Sequence, residues 1–488
     1  MKGVCSGRDR SCGWVVALLL LAEVSCFGEG SSNPGVVARV TREGLEYGLR
    51  YGVDILKNEL SNITLPDFSG IFTISWIGQV SYNFHSLRIN HSAIQCLELK
   101  LFPWQDIRVS LSSSYVSVQG MWKVKKAFIS LSGSFALSVD GIFISVSLNL
   151  GKDHSGRLTA SVAHCSNAIG QVGVDISGRL SWILNLFQER IENNLKNTLE
   201  QKICEAIKRA VSSDLQPYLR TLPVTWLIDE VAGIDYSLVD APMVSSQGLD
   251  VFFKFDFFNL HSSEARSPVP SEAPGLMLLQ KQECMVYLAV SKYVFNTASR
   301  VYHQDRCTNS IIWNEHIPLE SSVSLHTSSF RVLIPKAGQV VPNMEMELEV
   351  SPESAPFLMF TPGNVTLMAV MDIKAFALLP QSSDRMPLFQ LRARTNISVT
   401  VNVNSSRIFG SVTTDSWLKL ELKQSNVDKF NVQPMETIFN YYAQHTIIPS
   451  LNAKLEEGFW LPLPTDTFLN SLVLQIHENF LLIGANID

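Results

Sequence analysis

The amino-acid sequence predicts an α+β protein of two similar halves, each an antiparallel sheet wrapped around helix. Three observations carry that expectation. Residues Arg179 to Gln216 contain neither Gly nor Pro, and their apolar side chains fall at Leu184, Phe187, Ile191, Leu195, Leu199, Ile203, Ile207 and Val211, one face of a long amphipathic helix. At about 1.5 Å rise per residue it reaches roughly 55 Å, so the stripe must lie along something elongated and apolar. Elsewhere apolar and polar residues alternate: Ile144, Val146, Leu148 and Leu150 with Ser145, Ser147 and Asn149, then Met344, Met346, Leu348 and Val350 with three glutamates, then Ile397, Val399, Val401 and Val403 with Ser398, Thr400 and Asn402. Such strands have one wet face and one dry face, so the sheets enclose an apolar interior that helix or ligand must fill. The third observation is that the order of elements repeats.

Taken in order, Lys2, Arg8 and Arg10 precede the apolar stretch Trp14 to Ala22 and then small residues such as Ser25 and Gly28, which reads as a signal peptide over 1–28. No later stretch offers about 18 uninterrupted apolar residues, so no transmembrane segment is expected and the mature chain is read as secreted and extracellular. A helix is predicted over Val36 to Leu60. In it Gly44, Gly48 and Gly52 recur every four residues on one face with Val37, Val40 and Ile55, a strip open to a close-packed backbone or an acyl chain. Strands follow over about 70–178, then the long helix, then Leu222-Pro223. A Pro-rich linker spans Ser267 to Gly275. The second half repeats the order with a helix over Tyr293 to Gln304, strands over about 308–424, a helical stretch from Pro434 to Glu457, and Leu461-Pro462-Leu463-Pro464.

The 488 residues suggest two domains of about 200 residues each. Residues 30–240 carry 19 basic and 19 acidic side chains, whereas 241–488 carry 17 and 23, so the second half is acidic and nucleic acid is not an expected partner. Against that background Lys123, Lys125 and Lys126 crowd between Trp122 and Phe128, after Gly120 and between two strands. This is a basic hairpin tip, and although lysines at a tip are commonly plain solvated surface, beside two aromatics they can engage phosphate on a lipid head group.

Removal of the leader leaves Cys96, Cys165, Cys204, Cys284 and Cys307. A bridge between Cys165, in a strand-like segment, and Cys204, on the long helix, staples helix to sheet and is worth roughly 4 kcal/mol in the chain-entropy model. Cys284 and Cys307 are a second candidate pair, and Cys96 is left as a buried thiol. No CxxC or HxxxH spacing accompanies them, so no metal is expected. Sequons at Asn62, Asn90, Asn364, Asn396 and Asn404 are compatible with a secreted glycoprotein. There is no GxSxG, HExxH, P-loop or dinucleotide fingerprint, which favours a binding or transfer protein over an enzyme.

Several segments are familiar: Asn33-Pro34-Gly35-Val36-Val37-Ala38-Arg39 before the Gly-spaced helix, Val211 to Leu219, Asp235 to Val239, Met285 to Leu288, Tyr293 to Ser299 and Asn479 to Asn486. Together they resemble the lipopolysaccharide-binding protein and bactericidal/permeability-increasing protein family, over essentially the whole mature chain. Within it, Thr221 to Thr225 and the sequons at Asn364, Asn396 and Asn404 look closer to the lipopolysaccharide-binding branch.

The resemblance implies an elongated boomerang with pseudo-two-fold symmetry. An N-terminal lipid-binding barrel occupies 31–220, a central sheet and linker 221–280, a C-terminal barrel 281–460, and a return to the central sheet 461–488. It implies a bound phospholipid in each barrel and no other cofactor, with pocket-lining residues drawn from Gly44, Gly48, Gly52, Phe187, Ile191 and Leu195. It makes Cys165 and Cys204 the family's disulfide and places Lys125 and Lys126 at the tip that meets lipid A phosphates, beside Lys123 and Trp122. The implied partners are lipopolysaccharide and other lipids, the bacterial outer membrane surface and a monocyte-surface endotoxin co-receptor, in an innate antibacterial response. Alternatives within the family are a bactericidal membrane-permeabilising effector and a plasma phospholipid transfer protein. Leu60 to Gln79 has no lysine where the bactericidal relative is lysine-rich, Cys284 and Cys307 are additions to the family pattern, and the chain stops a few residues short of the usual C-terminal extension.

Overall fold

The computed structural model describes residues 33–61, 65–74, 78–176, 188–261, 275–276, 283–317, 324–334, 336, 341–380, 384–404, 407–414, 418–460 and 469–487. The expected signal peptide, nearly all of the Pro-rich linker, Asn62 and Phe187 lie outside these residues, as do the side chains of Ile191 and Cys96. The chain divides into two units. The first comprises Arg39–Leu222 and Asp240–Val251; the second comprises Pro223–Val239 and Phe252–Asp488 with the chain up to Ala38. The segment expected as one central piece, 221–280, is thus shared between the units.

The helix expected from Val36 begins later. Val36–Thr41 is a strand, β1, as its β-branched residues favour. Helix α1, Arg42–Ser61, starts where Thr41 Oγ1 accepts the Gly44 N–H at 3.4 Å. Val37 and Val40 therefore do not share a helix face with the glycines.

The first unit is built on β2 (Phe68–Ile74), β3 (Gly78–Ala93), β4 (Cys96–Leu101), β5 (Ile107–Lys126), β6 (Ile129–Lys152), β7 (Leu158–Ala168) and β8 (Gln171–Ile176). They form one antiparallel sheet in the order β2-β3-β5-β6-β7, with β4 also on β5 and β8 also on β6. Helix α2, Gln188–Arg209, lays Leu195, Leu199, Ile203 and Ile207 against the inward faces of these strands, among them Phe84, Val118, Phe135, Leu137 and Ile144. Each such side chain taken from water contributes about 1.5–3 kcal/mol. The Cys165–Cys204 disulfide joins β7 to α2 as expected, with Cα atoms 5.9 Å apart.

In the second unit β9 (Thr225–Leu227) and β10 (Ala232–Asp235) join β13 (Asp256–Asn259) in a three-stranded sheet; between β10 and β13 the chain runs through β11 (Met243–Val244) and β12 (Gly248–Phe253), a paired hairpin that lies mostly within the first unit's Asp240–Val251. After β14 (Val286–Ser291) and helix α3 (Lys292–Gln304) comes an eight-stranded sheet of β15 (Ser310–Ile312), β16 (Met346–Pro352), β17 (Phe357–Thr361), β18 (Asn364–Leu378), β19 (Arg385–Asn404), β20 (Arg407–Thr414), β21 (Lys419–Ser425) and β22 (Phe459–Trp460). Strands β23 (Leu469–His477) and β24 (Phe480–Ile487) then pair with each other, and β24 pairs with β14.

The repeat in element order is a repeat of pairing. The β5/β6 hairpin is flanked by β3 and β4 on one member and by β7 and β8 on the other; β18/β19 is flanked in the same way by β16 and β17 and by β20 and β21. A second device also occurs twice. The helix expected to stop before Pro217 runs on: a wide turn over Ala210–Leu215, in which Gln216 N–H reaches back five residues to Val211, leads into α4, Gln216–Thr221. In the other unit α5 (Gln433–Tyr442) passes through Ala443–Ile447, where Ile448 N–H bonds to Ala443, into α6 (Ile448–Glu457) with Pro449. One extra residue per turn accommodates a proline that has no N–H and crowds the carbonyl four residues back.

Candidate functional site

Strict alternation along the end of β5 sorts the predicted tip residues onto two faces. Gly120, Trp122 and Val124 point inward and are buried, whereas Met121, Lys123 and Lys125 form an exposed outward file and Lys126 is exposed at the strand end. The turn to β6 is Ala127-Phe128, with Ala127 at φ 47°, a conformation L residues seldom adopt. That turn presents Phe128 entirely to solvent, next to Ile129 at 62% exposure. Cross-strand register adds a residue the sequence pattern did not single out: Ile71 lies opposite Ser81, Ser81 opposite Lys125, and Lys125 opposite Ser130, so the exposed Ile71 shares a row with the lysine file. No Asp or Glu occurs over 68–97 or 107–139. The hairpin end is therefore apolar at its apex, cationic just behind it, and free of carboxylates along these strands.

Trp122 corrects one expectation. It is 4% exposed and belongs to the core, lying so closely over Gly133 that a Cβ there would come within 2.7 Å of its indole. Its Nε1 is buried with no hydrogen-bond partner among the described residues. It offers a polar point on the inside wall, not a rim for head groups.

The other predicted pocket residues separate. Leu195 is buried in the core. Gly48 and Gly52 are exposed, and a Cβ at either meets nothing within 4 Å, while Gly44 is half-buried; the packing face of α1 is instead Leu45 and Leu49, against Leu99, Ile107, Val244 and Leu249, and Val53 at the edge of the main core. Phe72 and Leu131 are likewise partly buried against that core near the hairpin end.

The second expected bridge is not made. Cys284 is buried with Tyr287, Ala289 and Leu482, its thiol 3.7 Å from the Ser471 carbonyl, whereas Cys307 packs beside a different cluster near Asp305. Asn90, Asn364, Asn396 and Asn404 are all exposed.

Two buried charge clusters went unread in the sequence because their partners are distant along the chain. Arg39 makes a two-pronged bond to Asp250 at 2.6 and 2.7 Å and a third to Gln247 at 2.8 Å. In the second unit Lys254 Nζ lies 2.7 Å from Asp235 and 3.4 Å from Asp256. Burial pushes the Asp256 carboxyl above the usual range despite Lys254, and for Lys254 the same burial is outweighed by Asp235, leaving its ammonium above its ordinary value. Arg39 ties Asp250 to Gln247, and Lys254 ties Asp235 to Asp256, which also meets Tyr293 and keeps one buried oxygen, Oδ1, without a hydrogen-bond partner among the described residues; both clusters lock strands.

Sequence models of the N-terminal and C-terminal domains of the LBP / BPI / CETP family match residues 44–218 and 226–488. The chain belongs to that family. It is 46% identical to the lipopolysaccharide-binding protein of Homo sapiens over 97% of each chain, and 34% identical to the bactericidal permeability-increasing protein of Rattus norvegicus over 99% of each. A crystal structure of lipopolysaccharide binding protein superposes with a TM-score of 0.63 at 43% identity, covering 93% of this chain and 99% of that one. The two-domain α+β architecture is thus the family's. Among the described residues no helix is long and apolar enough to cross a membrane.

Proposed function

We propose that this chain captures the lipid A part of bacterial lipopolysaccharide and passes it on, as a secreted lipid-binding and transfer protein that works by binding and not by covalent chemistry. The observation that carries this reading is the β5/β6 hairpin end, where an exposed Phe128 and Ile129 stand ahead of Lys123, Lys125 and Lys126. An acyl chain gains about 0.8 kcal/mol per CH₂ on leaving water. In an aggregate it is already dry, so an apolar interior mainly offsets extraction. Selection then falls to the head group, where charge-assisted contacts to phosphate of about 1.5–3 kcal/mol each discriminate. The apolar apex suits first contact with the aggregate and the lysines suit the phosphates.

The acyl chains are assigned to the first unit's interior, entering past the partly buried Phe72, Leu131 and Val53, with the Trp122 N–H available to an ester or hydroxyl oxygen of the bound lipid. A phospholipid in the second unit's interior belongs to the same reading. So does handover to a monocyte-surface co-receptor by the acidic second half. Relatedness favours transfer over direct killing: identity is higher to the lipopolysaccharide-binding relative than to the bactericidal one, and Leu60 to Gln79 lacks lysine.

The test is Lys125→Glu with Lys126→Glu. Capture of labelled endotoxin by the purified chain is expected to fall at least tenfold at low salt with thermal unfolding unchanged, since both side chains are exposed. Undiminished capture contradicts the assignment.

A further inference from the structure

On the outer face of the first unit, behind the tip, lies a groove of about 650 Å³ whose polar and apolar lining comes from β3, β5 and β6, including Ser86, Arg88, Asn90, Gln119, Met121 and Ser134. Its shape has a local cause. Between His85 and Arg88 the register of β3 against β5 slips, with Ser86 at φ 57° and its N–H held by Asp67 Oδ1 at 3.0 Å, so the strand kinks and a concavity opens where a flat sheet face is expected. Arg88, Gln119 and Ala136 then lie in one row across three strands, and Met121 and Ser134 in the next. None of the lining residues is acidic.

The outward file of β5 runs Gln119, Met121, Lys123, Lys125, so groove and tip lie along one exposed file about 20 Å long at 3.4 Å per residue. A guanidinium with carboxamides and hydroxyls beside an apolar floor of Ile89, Phe135 and Ala136 and the exposed Met121 is the chemistry of an anionic sugar: Arg88 for a phosphate or carboxylate, Asn90, Gln119 and Ser134 for hydroxyls, Met121 for a C–H face. We propose that this groove is a saccharide subsite, taking the anionic oligosaccharide attached to the same lipid whose phosphates meet the tip lysines. The proposal rests on the function assigned above, and it adds a sugar-reading surface to a lipid-reading one.

Asn90 also begins a sequon, so the test uses the full chain carrying Ser92→Ala, which removes the acceptor motif and leaves the Asn90 side chain in place. Three probes are titrated: lipid A alone, lipid A bearing its phosphorylated core oligosaccharide, and that oligosaccharide freed of lipid. The core-bearing form is expected to bind roughly tenfold more tightly than lipid A alone. Arg88→Ala with Gln119→Ala is expected to remove most of that difference while leaving lipid A binding unchanged. An equal affinity for the two lipids, or a preference the double variant keeps, overturns the subsite. If neither lipid binds, the lipid-capture reading fails instead; the free oligosaccharide then decides the groove, sustaining it if it binds in an Arg88-dependent way and overturning it if it does not.

Discussion

A buried indole N–H that bonds to nothing costs about 1–3 kcal/mol relative to a satisfied one, and Trp122 carries such a group on the inside wall of the first unit. Trp122→Phe removes the donor and keeps a ring over Gly133. Lost packing and the removed orphan nearly offset each other, so unfolding of the lipid-free protein is expected to shift by less than about 1 kcal/mol. Release of bound lipid is expected to quicken about fivefold in a fluorescent-lipid chase; an unchanged release rate means the indole does not hold lipid. Asp153 supplies a residue-scale test of pH. Burial alone raises its pKa, but hydrogen bonds from the Ser155 hydroxyl and the Arg157 and Ser155 N–H groups outweigh it and hold the carboxyl below its ordinary value. A depressed folded pKa adds stability above the ordinary carboxylate pKa, and that stability is lost as pH falls through the lower folded value. Asp153→Asn should therefore be less stable than wild type near pH 7, and the gap should close on acidification, as read by urea unfolding at several pH values; a gap that persists in acid contradicts the role.

At the scale of elements, the helix-to-sheet contact is fixed twice, by the α2 stripe and by Cys165–Cys204, whose 39-residue separation corresponds to roughly 4 kcal/mol of chain entropy. Cys165→Ser with Cys204→Ser is expected to lower unfolding stability by about 2–4 kcal/mol, with Asn167 still donating to the Glu200 carbonyl at 2.7 Å and keeping the helix in register. A change below about 0.5 kcal/mol rules out the staple. The stripe and the alternating strands were legible because each writes its period into adjacent residues. Where two periods overlapped, the reading failed. Val37, Val40 and Gly44 mimic a helix face, but the β-branched run to Thr41 makes that stretch a strand. Trp122 was placed at the rim although the alternation through Lys126 already assigns it to the inside. What no local pattern holds is cross-strand register and distant pairing, which is why Ile71 beside Lys125, Arg39 with Asp250, and the kink that opens the groove at Arg88 emerge only from the fold. The wide turns at Ala210–Leu215 and Ala443–Ile447 carry no local signature either: the first of these helices is expected to stop before Pro217, whereas the stretch from Pro434 to Glu457 is already expected to run through Pro449, and an added residue per turn lets each helix continue into its proline.

For the whole molecule, one pairing scheme used twice gives two sheets with dry inner faces, and charge then differentiates the halves. The first is neutral overall but carries exposed lysines at one hairpin end; the second has 23 acidic residues to 17 basic, many of them tied into ladders such as Arg385 with Glu347 at 2.6 Å and Lys423 with Asp372 at 2.9 Å. In those ladders the carboxylates are largely buried and their basic partners only partly exposed, so salt screens them less than it screens the exposed tip lysines, and raising ionic strength is expected to weaken ligand capture at the tip far more than it weakens folding. Titration of endotoxin binding alongside urea unfolding from low to high salt checks this, and parallel losses count against it. The claim on which the account turns is that the first unit receives acyl chains on its inner face while the phosphates stay outside on the lysines. Lipid A carrying a photoactivatable group at an acyl terminus, cross-linked to the full chain and mapped by peptide mass spectrometry, tests it most directly. The account predicts labels on inward residues such as Val53, Phe72, Leu131 and the α2 stripe; labels confined to outward residues such as Met121 and Ser134 contradict it.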